Sequence, residues 1–446
     1  MTATEPELLA HHYTSAGLIK AGVHYWERAG ARATERSAYV EAISQYGKGL
    51  EFLRSLPEGR ERDLLELSLQ MGLGDALSWT RGFAAFEVEA AYNRAHELSR
   101  QIGETSDLFR ILWGLWHFFV IRADFGRAQT LSDELSQLGE HLLDPSLAPH
   151  IFRTRGETCL WRGEFVAALR ETSVCLTNPD LPPPKLLPGV QDSLVMCGLW
   201  EALALWHLGY PDRALRSADA ALERARNSTQ SGDFGAALLF AAWVRLLRRE
   251  TRSAREFAEA ALRFNAAHDL AFHVAISKCL LGSALVVEEN DESGLTRIRD
   301  GIAESSATGA GVFQPWFLGV LAASHSHLGN DTAGLAALAE AEALINRSGE
   351  RWSEAEMHRL KGELQLSVKG AEAEAEQCLY TAIAVARGQQ ARSSELRAAN
   401  SIARLWCAQS KRAEVRDLLA PIYGWFTEGF DTPDMRDAEE LLDRVR

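Results

Sequence analysis

Small side chains recur along this chain at a near-constant interval, and that recurrence restricts the fold more than any other feature. Gly156, Ala202, Ala242, Gly282, Ala322, Gly362 and Ala403 lie 46, 40, 40, 40, 40 and 41 residues apart. A second column, Ala128, Ala168, Ala214, Ala254, Gly294, Gly334 and Ala375, is spaced 40, 46, 40, 40, 40 and 41. Self-similarity with a period of roughly 20 to 50 residues marks a stack of repeated supersecondary units. Two helix backbones come close where each carries a small residue, so the paired columns predict one crossing per helical hairpin.

Each second-column residue follows a polar or glycine-containing break, such as Gly163-Glu164, Gly209-Tyr210-Pro211 or Gly329-Asn330-Asp331. About 17 residues of apolar periodicity precede each break and about 15 follow it, which reads as helix, turn, helix. First helices are expected near 19–36, 62–80, 105–121, 146–162, 190–208, 232–248, 272–288, 312–328, 352–368 and 393–409. The expected fold is an all-α, right-handed superhelical solenoid of about ten helical hairpins. A leading helix over 5–16 has no partner of its own, so 1–18 reads as a separate leading element, even as the end of a domain upstream. Its apolar side chains make dimerisation through the N-terminal end plausible. The array runs over 19–430, and 431–446 holds a charged amphipathic capping helix from Asp434 to Val445. The proline-rich stretch 178–189, NPDLPPPKLLPG, accounts for the 46-residue spacing. It reads as a stiff spacer between hairpins, or alternatively as a docking loop.

Composition removes several function classes. Glycine at 34 and proline at 13 of 446 residues, with 46% hydrophobic residues, exclude a disordered chain. A net charge of -14 argues against a general nucleic-acid binder, whose footprint is basic. Met1 to Ala10 hold no secretory signal, and the longest nearly uncharged apolar runs, 111–121 and 234–244, are too short to span a bilayer. Six cysteines without C-x-x-C spacing read as small apolar residues of a reducing cytoplasm.

Catalytic patterns are missing. There is no G-x-x-x-x-G-K-[ST] string, no G-x-S-x-G elbow and no alternating strand pattern, and Gly72-x-Gly74 lies inside a helical stretch. His325 and His327 are two apart and point to different helix faces, so neither they nor His11-His12 or His268 with His273 predict a metal site. The expectation is a non-enzyme without cofactor or metal. The acidic run AEAEAEQ at 371–377 reads as a solvated helix start.

The stretch from Trp26 through Ala29, Gly30 and Ala33 to Ala42 and Tyr46 follows the tetratricopeptide pattern, as do Leu318, Leu321, Ala322, Gly329 and Gly334. The period near 40 exceeds the usual 34 and the terminal proline is mostly absent, so helices of the HEAT or armadillo type stay open. Segments 9–53, 349–366 (GERWSEAEMHRLKGELQL) and 418–442 (LLAPIYGWFTEGFDTPDMRDAEELL) resemble the C-terminal repeat region of bacterial signalling proteins. Those proteins join a nucleotide cyclase or kinase domain, a STAND-type ATPase domain and a helical array. The resemblance implies a cytoplasmic sensing and protein-docking arm without its catalytic engine, with an ATPase or nucleotide cyclase module as a partner.

Tryptophan is in excess, with 12 residues, most of them on first helices. In the tetratricopeptide register the concave groove is lined by fixed first-helix positions. Carried onto this chain, that register selects Arg110, Trp113, His117, Arg153, Glu157, Trp161, Trp206, His207, Trp243 and Trp316 as partner-binding candidates. The competing reading of each tryptophan is inter-helix core filler, because ridge packing also wants bulky residues. Three functions follow in order of support: an interaction scaffold capturing a protein segment, a small-molecule effector sensor, and an enzyme.

Overall fold

The computed structural model describes residues 5–103, 107–142, 144–184, 190–228 and 230–446. Ten antiparallel helical hairpins follow one another, numbered here from 1 to 10 in chain order. Their first helices are Ile19–Glu35, Arg60–Arg81, Leu108–Ile121, Ala148–Trp161, Ser193–His207, Ser231–Leu247, Ala271–Glu289, Gln314–His327, Glu354–Gln365 and Arg392–Ala408. Their second helices are Tyr39–Leu53, Phe86–Ile102, Phe125–Leu142, Phe165–Thr177, Pro211–Arg226, Thr251–Ala267, Ser293–Ala307, Asp331–Ser348, Glu372–Gly388 and Arg412–Tyr423. No strand occurs among the described residues. Of the proline-rich stretch, 178–184 is irregular and 185–189 lies outside the described residues.

The small-residue columns meet each other at the crossings. A Cβ built on Gly282 lies 2.5 Å from the Gly294 carbonyl oxygen, and one built on Gly294 lies the same distance from the Gly282 oxygen. Gly334 faces the Ala322 oxygen at 3.0 Å, Gly362 the Ala375 oxygen at 3.0 Å, and Gly156 the Ala168 oxygen at 3.5 Å. Backbone contact at Gly282 leaves no room for a methyl group. Gly282→Ala therefore lowers stability by about 1–3 kcal/mol despite the better helix propensity of alanine. Gly47→Ala, with open space around the new methyl, raises stability by about 0.5–1 kcal/mol. Chemical denaturation of the two variants checks both signs.

The leading helix, Pro6–Ser15, is not solitary. It packs on the first helix of hairpin 1, with His11 edge-on to Trp26 at 4.6 Å and Tyr13 stacked on Tyr25 at 5.2 Å. The terminal helix, Pro433–Asp443, buries Met435, Ala438 and Leu441 and sits where an eleventh first helix would stand. Ala271–Glu289 is the one described helix long and apolar enough to cross a membrane, and 67% of its most apolar window is buried within the protein. All six cysteines are free, three buried and three partly buried.

Successive turns of the superhelix touch, and hairpin n meets hairpin n + 5. The Ile121 carbonyl at the end of hairpin 3's first helix accepts the Gly311 and Val312 amides, at 2.8 and 3.0 Å, at the entry to hairpin 8. Trp161 of hairpin 4 accepts the Arg351 and Trp352 amides at the entry to hairpin 9, and Trp206 of hairpin 5 accepts Ser393 Oγ of hairpin 10. Hairpin 6 continues the series, its Arg249 reaching Asp434 and Asp437 of the terminal helix. Helix C-termini leave carbonyls without intrahelical partners. Here the next superhelical turn supplies the missing donors.

Candidate functional site

This closure decides what becomes of the concave face. Along the axis the first-helix aromatics pack against the next turn rather than facing water. Trp161 contacts Trp200, Phe313 and Trp352 at 5.0, 4.9 and 5.6 Å, and Trp243 contacts Trp316 at 4.4 Å and Phe313 at 5.0 Å. Phe313 holds φ at +71°, an unusual value for a bulky residue, and its amide is fixed by the Glu350 carboxylate at 3.1 Å. Glu350 is wholly buried, and Trp352 Nε1 also donates to it, at 2.7 Å. Burial pushes its carboxyl up to about 8, against the pull of those two donors.

Six of the ten candidates from the groove register are buried in this closed interior, and a seventh, Arg110, is partly exposed at its margin. Trp161 and Trp243 are in the axial cluster, while Trp113 carries the Arg153 guanidinium over its ring at 5.1 Å. Arg153 has no exposed surface and donates to Gln191 Oε1 at 2.7 Å, to the Gln191 carbonyl at 3.3 Å and to Glu157 at 3.5 Å. Glu157 also accepts Trp200 Nε1 at 3.0 Å, and burial lifts its carboxyl although Arg153 pulls the other way. His117 is edge-on to Phe83 at 4.6 Å, and burial, with Arg153 and His273 adding, drives its ring well below its usual range. Arg110 pairs with the buried Asp75, which Tyr92 also holds, at 2.5 Å. The six buried candidates reach no open groove, because hairpins 7 to 9 pack in front of hairpins 2 to 4, and Trp243 of hairpin 6 is covered by Phe313, Trp316 and Trp352 of hairpins 8 and 9.

The other three, Trp206, His207 and Trp316, line a cavity of about 590 Å³. It lies on the concave side of hairpins 7 to 10, between the ends of hairpins 5 and 6 and the terminal helix. Trp206, Trp316 and Trp352 form its aromatic wall, and Val320, Met357 and Leu360 extend the apolar surface. Beside these stands a set of charged residues absent from the groove register. Arg359 bridges Glu356 and Glu363 at 2.6 and 2.5 Å, Arg404 bridges Glu363 and Asp437, and Arg397 bridges Asp434 and Glu356. Arg397 also lies over Trp206 at 4.7 Å and donates to the Leu247 carbonyl. Burial would raise the Asp434 carboxyl, but Arg397 and Arg249 outweigh it and hold it below its usual range. The cavity thus combines aromatic surface with opposite charges already matched.

A group of three or more His, Cys, Asp or Glu side chains arranged to hold a metal ion does not occur among the described residues. The missed charged residues carried a weak signal. Glu356, Arg359 and Glu363, like Arg397 and Arg404, recur at three-, four- and seven-residue steps on first helices, the spacing of one helix face.

No family model matches the chain. An uncharacterized protein of Rhizobium meliloti (strain 1021) is 26% identical over 227 residues, covering 48% of this chain and 21% of that protein. The chain therefore spans about a fifth of that relative's length. Among solved structures, a Rap protein complexed with competence and sporulation factor aligns over 89% of this chain and 100% of its own, with a TM-score of 0.53 and 14% identity. A STAND protein with a tetratricopeptide repeat sensor from Pyrococcus horikoshii aligns over 90% of this chain and 57% of its own, at a TM-score of 0.43 and 12% identity. The chain is an all-helical repeat protein with the architecture of tetratricopeptide-like solenoids.

Proposed function

We propose that this chain is a non-catalytic interaction or regulatory module that captures a short peptide segment of a protein partner in the cavity of hairpins 7 to 10. The supporting observation is the pairing of an aromatic wall with a wall of matched carboxylates and guanidiniums around about 590 Å³. Aromatic and arginine side chains in a concave site are the usual anchors of recognition. A whole helix, about 10–12 Å across with its side chains, is too bulky, so the segment is extended and only a few residues long. A cavity of this volume equally suits a small effector, and that is the second reading. In both, occupancy would bias an attached or associated ATPase or nucleotide cyclase if the ligand prefers one of its states. A fusion that shows the same enzymatic rate with and without saturating cavity ligand would remove that coupling.

The binding test uses a steric block rather than a deletion. Ala323 lines the cavity and is only partly buried, so Ala323→Trp fills space without removing a contact. Heptapeptides selected from a random displayed library on the intact chain should bind the variant at least about tenfold more weakly, with the melting temperature preserved. Equal binding to both proteins would place recognition elsewhere and end the cavity reading. A metabolite that raises the melting temperature of the wild type, but not of Ala323→Trp, would favour the effector reading instead.

A further inference from the structure

The charged residues of the cavity close into a ring. Arg249 pairs with Asp434 at 3.2 Å, Asp434 with Arg397 at 2.8 Å, Arg397 with Glu356 at 3.9 Å and Glu356 with Arg359 at 2.6 Å. Arg359 then pairs with Glu363 at 2.5 Å, Glu363 with Arg404 at 3.7 Å, Arg404 with Asp437 at 2.7 Å, and Asp437 with Arg249 at 2.8 Å. All eight side chains line the cavity, and they come from hairpins 6, 9 and 10 and from the terminal helix. Their signs alternate, four guanidiniums with four carboxylates, so the ring is electrically neutral and every charge has an opposite neighbour on both sides. Burial grades around it. The side chains of Arg397, Asp434 and Arg359 are 11, 13 and 14% exposed, those of Arg249 and Arg404 47 and 46%.

We infer that this ring sets the charge selectivity of the cavity: the peptide residue seated beside it is uncharged, and a lone Asp, Glu, Lys or Arg side chain is refused. This deepens the peptide reading above and rests on it. A guest carboxylate that approached Arg397 or Arg404 would meet Glu356 or Glu363, which already face those guanidiniums within 4.0 Å. A guest ammonium that approached either carboxylate would meet the arginines in turn. Either guest would lose water for a partner whose charge is already matched, and a desolvated charge without compensation is costly. Uncharged side chains escape that cost and gain contact with Trp316, Trp352, Met357 and Leu360 of the same cavity. Refusal is sharpest beside Arg397, Asp434 and Arg359, because solvent screens the half-exposed Arg249 and Arg404. Neutrality here is a balance of single residues, so selectivity has a sign that one substitution can set. Removing a carboxylate leaves a surplus guanidinium that admits an anion, and removing a guanidinium leaves a surplus carboxylate that admits a cation.

The test starts from heptapeptides selected from a displayed random library on the intact chain and counter-selected on Ala323→Trp. Each position of a cavity-dependent peptide is changed in turn to Gln, Glu and Lys. At one position at least, Glu and Lys should each weaken binding about tenfold or more relative to Gln, as opposed like charges do at an interface. On Glu363→Gln, whose amide oxygen still accepts Ser401 Oγ, the Glu peptide should gain about tenfold over the Lys peptide. On Arg404→Gln the Lys peptide should gain over the Glu peptide. Both preferences should shrink in about 1 M salt, where charges are screened within ~3 Å. Glu356→Gln replaces Glu363→Gln if that variant does not fold. Tolerance of Glu and Lys at every position, a shared charged residue whose neutralisation weakens binding, or a Glu-to-Lys ratio unchanged in both variants would overturn the charge selectivity and leave peptide capture standing. A library that yields no cavity-dependent peptide would overturn both.

Discussion

Arg153→Met should lower the free energy of unfolding by about 3–5 kcal/mol, the range found when one partner of a buried ion pair is removed. The residue has no exposed surface, and its three polar contacts and the Trp113 ring enclose it. Methionine fills most of the volume but leaves Glu157 with only its tryptophan donor against the desolvation that already lifts its carboxyl. Two features separate this from simple loss of packing. The double variant Arg153→Met, Glu157→Leu should be more stable than the single one, since no uncompensated carboxylate remains. The deficit of the single variant should also narrow as pH falls and Glu157 takes up a proton. Urea denaturation at neutral and acid pH measures both. A double variant no more stable than the single one would mean that the charge of Glu157 is not the cause.

Glu350→Gln should remove a pH dependence rather than a contact. With a folded value of about 8 against an ordinary 4.5, Glu350 holds a proton in the folded chain that the unfolded chain releases between those two values. Stability from this group is complete below about pH 4.5 and falls as pH rises to about 8, by up to ~5 kcal/mol in all. Glutamine has the same shape, and its carbonyl oxygen accepts the Phe313 amide and the Trp352 indole without a charge. The variant should melt close to the wild type near pH 4.5 and several degrees above it at pH 8. Asp233, pushed up to about 6 by burial, titrates equally in both proteins and cancels in the difference. Parallel melting curves across this window would show that Glu350 is ionised in the fold throughout.

Both predictions concern residues whose surroundings differ from what the chain alone suggests. Arg153, Glu157 and Trp113 stand at groove positions of the tetratricopeptide register, yet each is closed in by neighbours, so their replacement acts on folding. Trp206, His207 and Trp316 occupy equivalent positions and do reach a cavity. The difference lies in hairpins about 190 residues away in sequence, not in the helices that carry them. Glu356, Arg359, Glu363, Arg397 and Arg404 were hidden for the converse reason. On a helical wheel an inward face lined with paired charges looks the same as a face in water.

The sequence by itself determined the hairpins. Each crossing of Gly282 with Gly294, Ala322 with Gly334 or Gly362 with Ala375 depends on side chains a dozen or so residues apart, and the three- and four-residue apolar steps place the helix boundaries to within a few residues. The tertiary structure alone decided that five hairpins complete a turn, so that Ile121, Trp161 and Trp206 are capped from hairpins 8, 9 and 10. Curvature of a solenoid is the sum of small rotations, one per repeat. No local pattern encodes such a sum, yet it settles which aromatic faces are sealed and which remain open to a ligand.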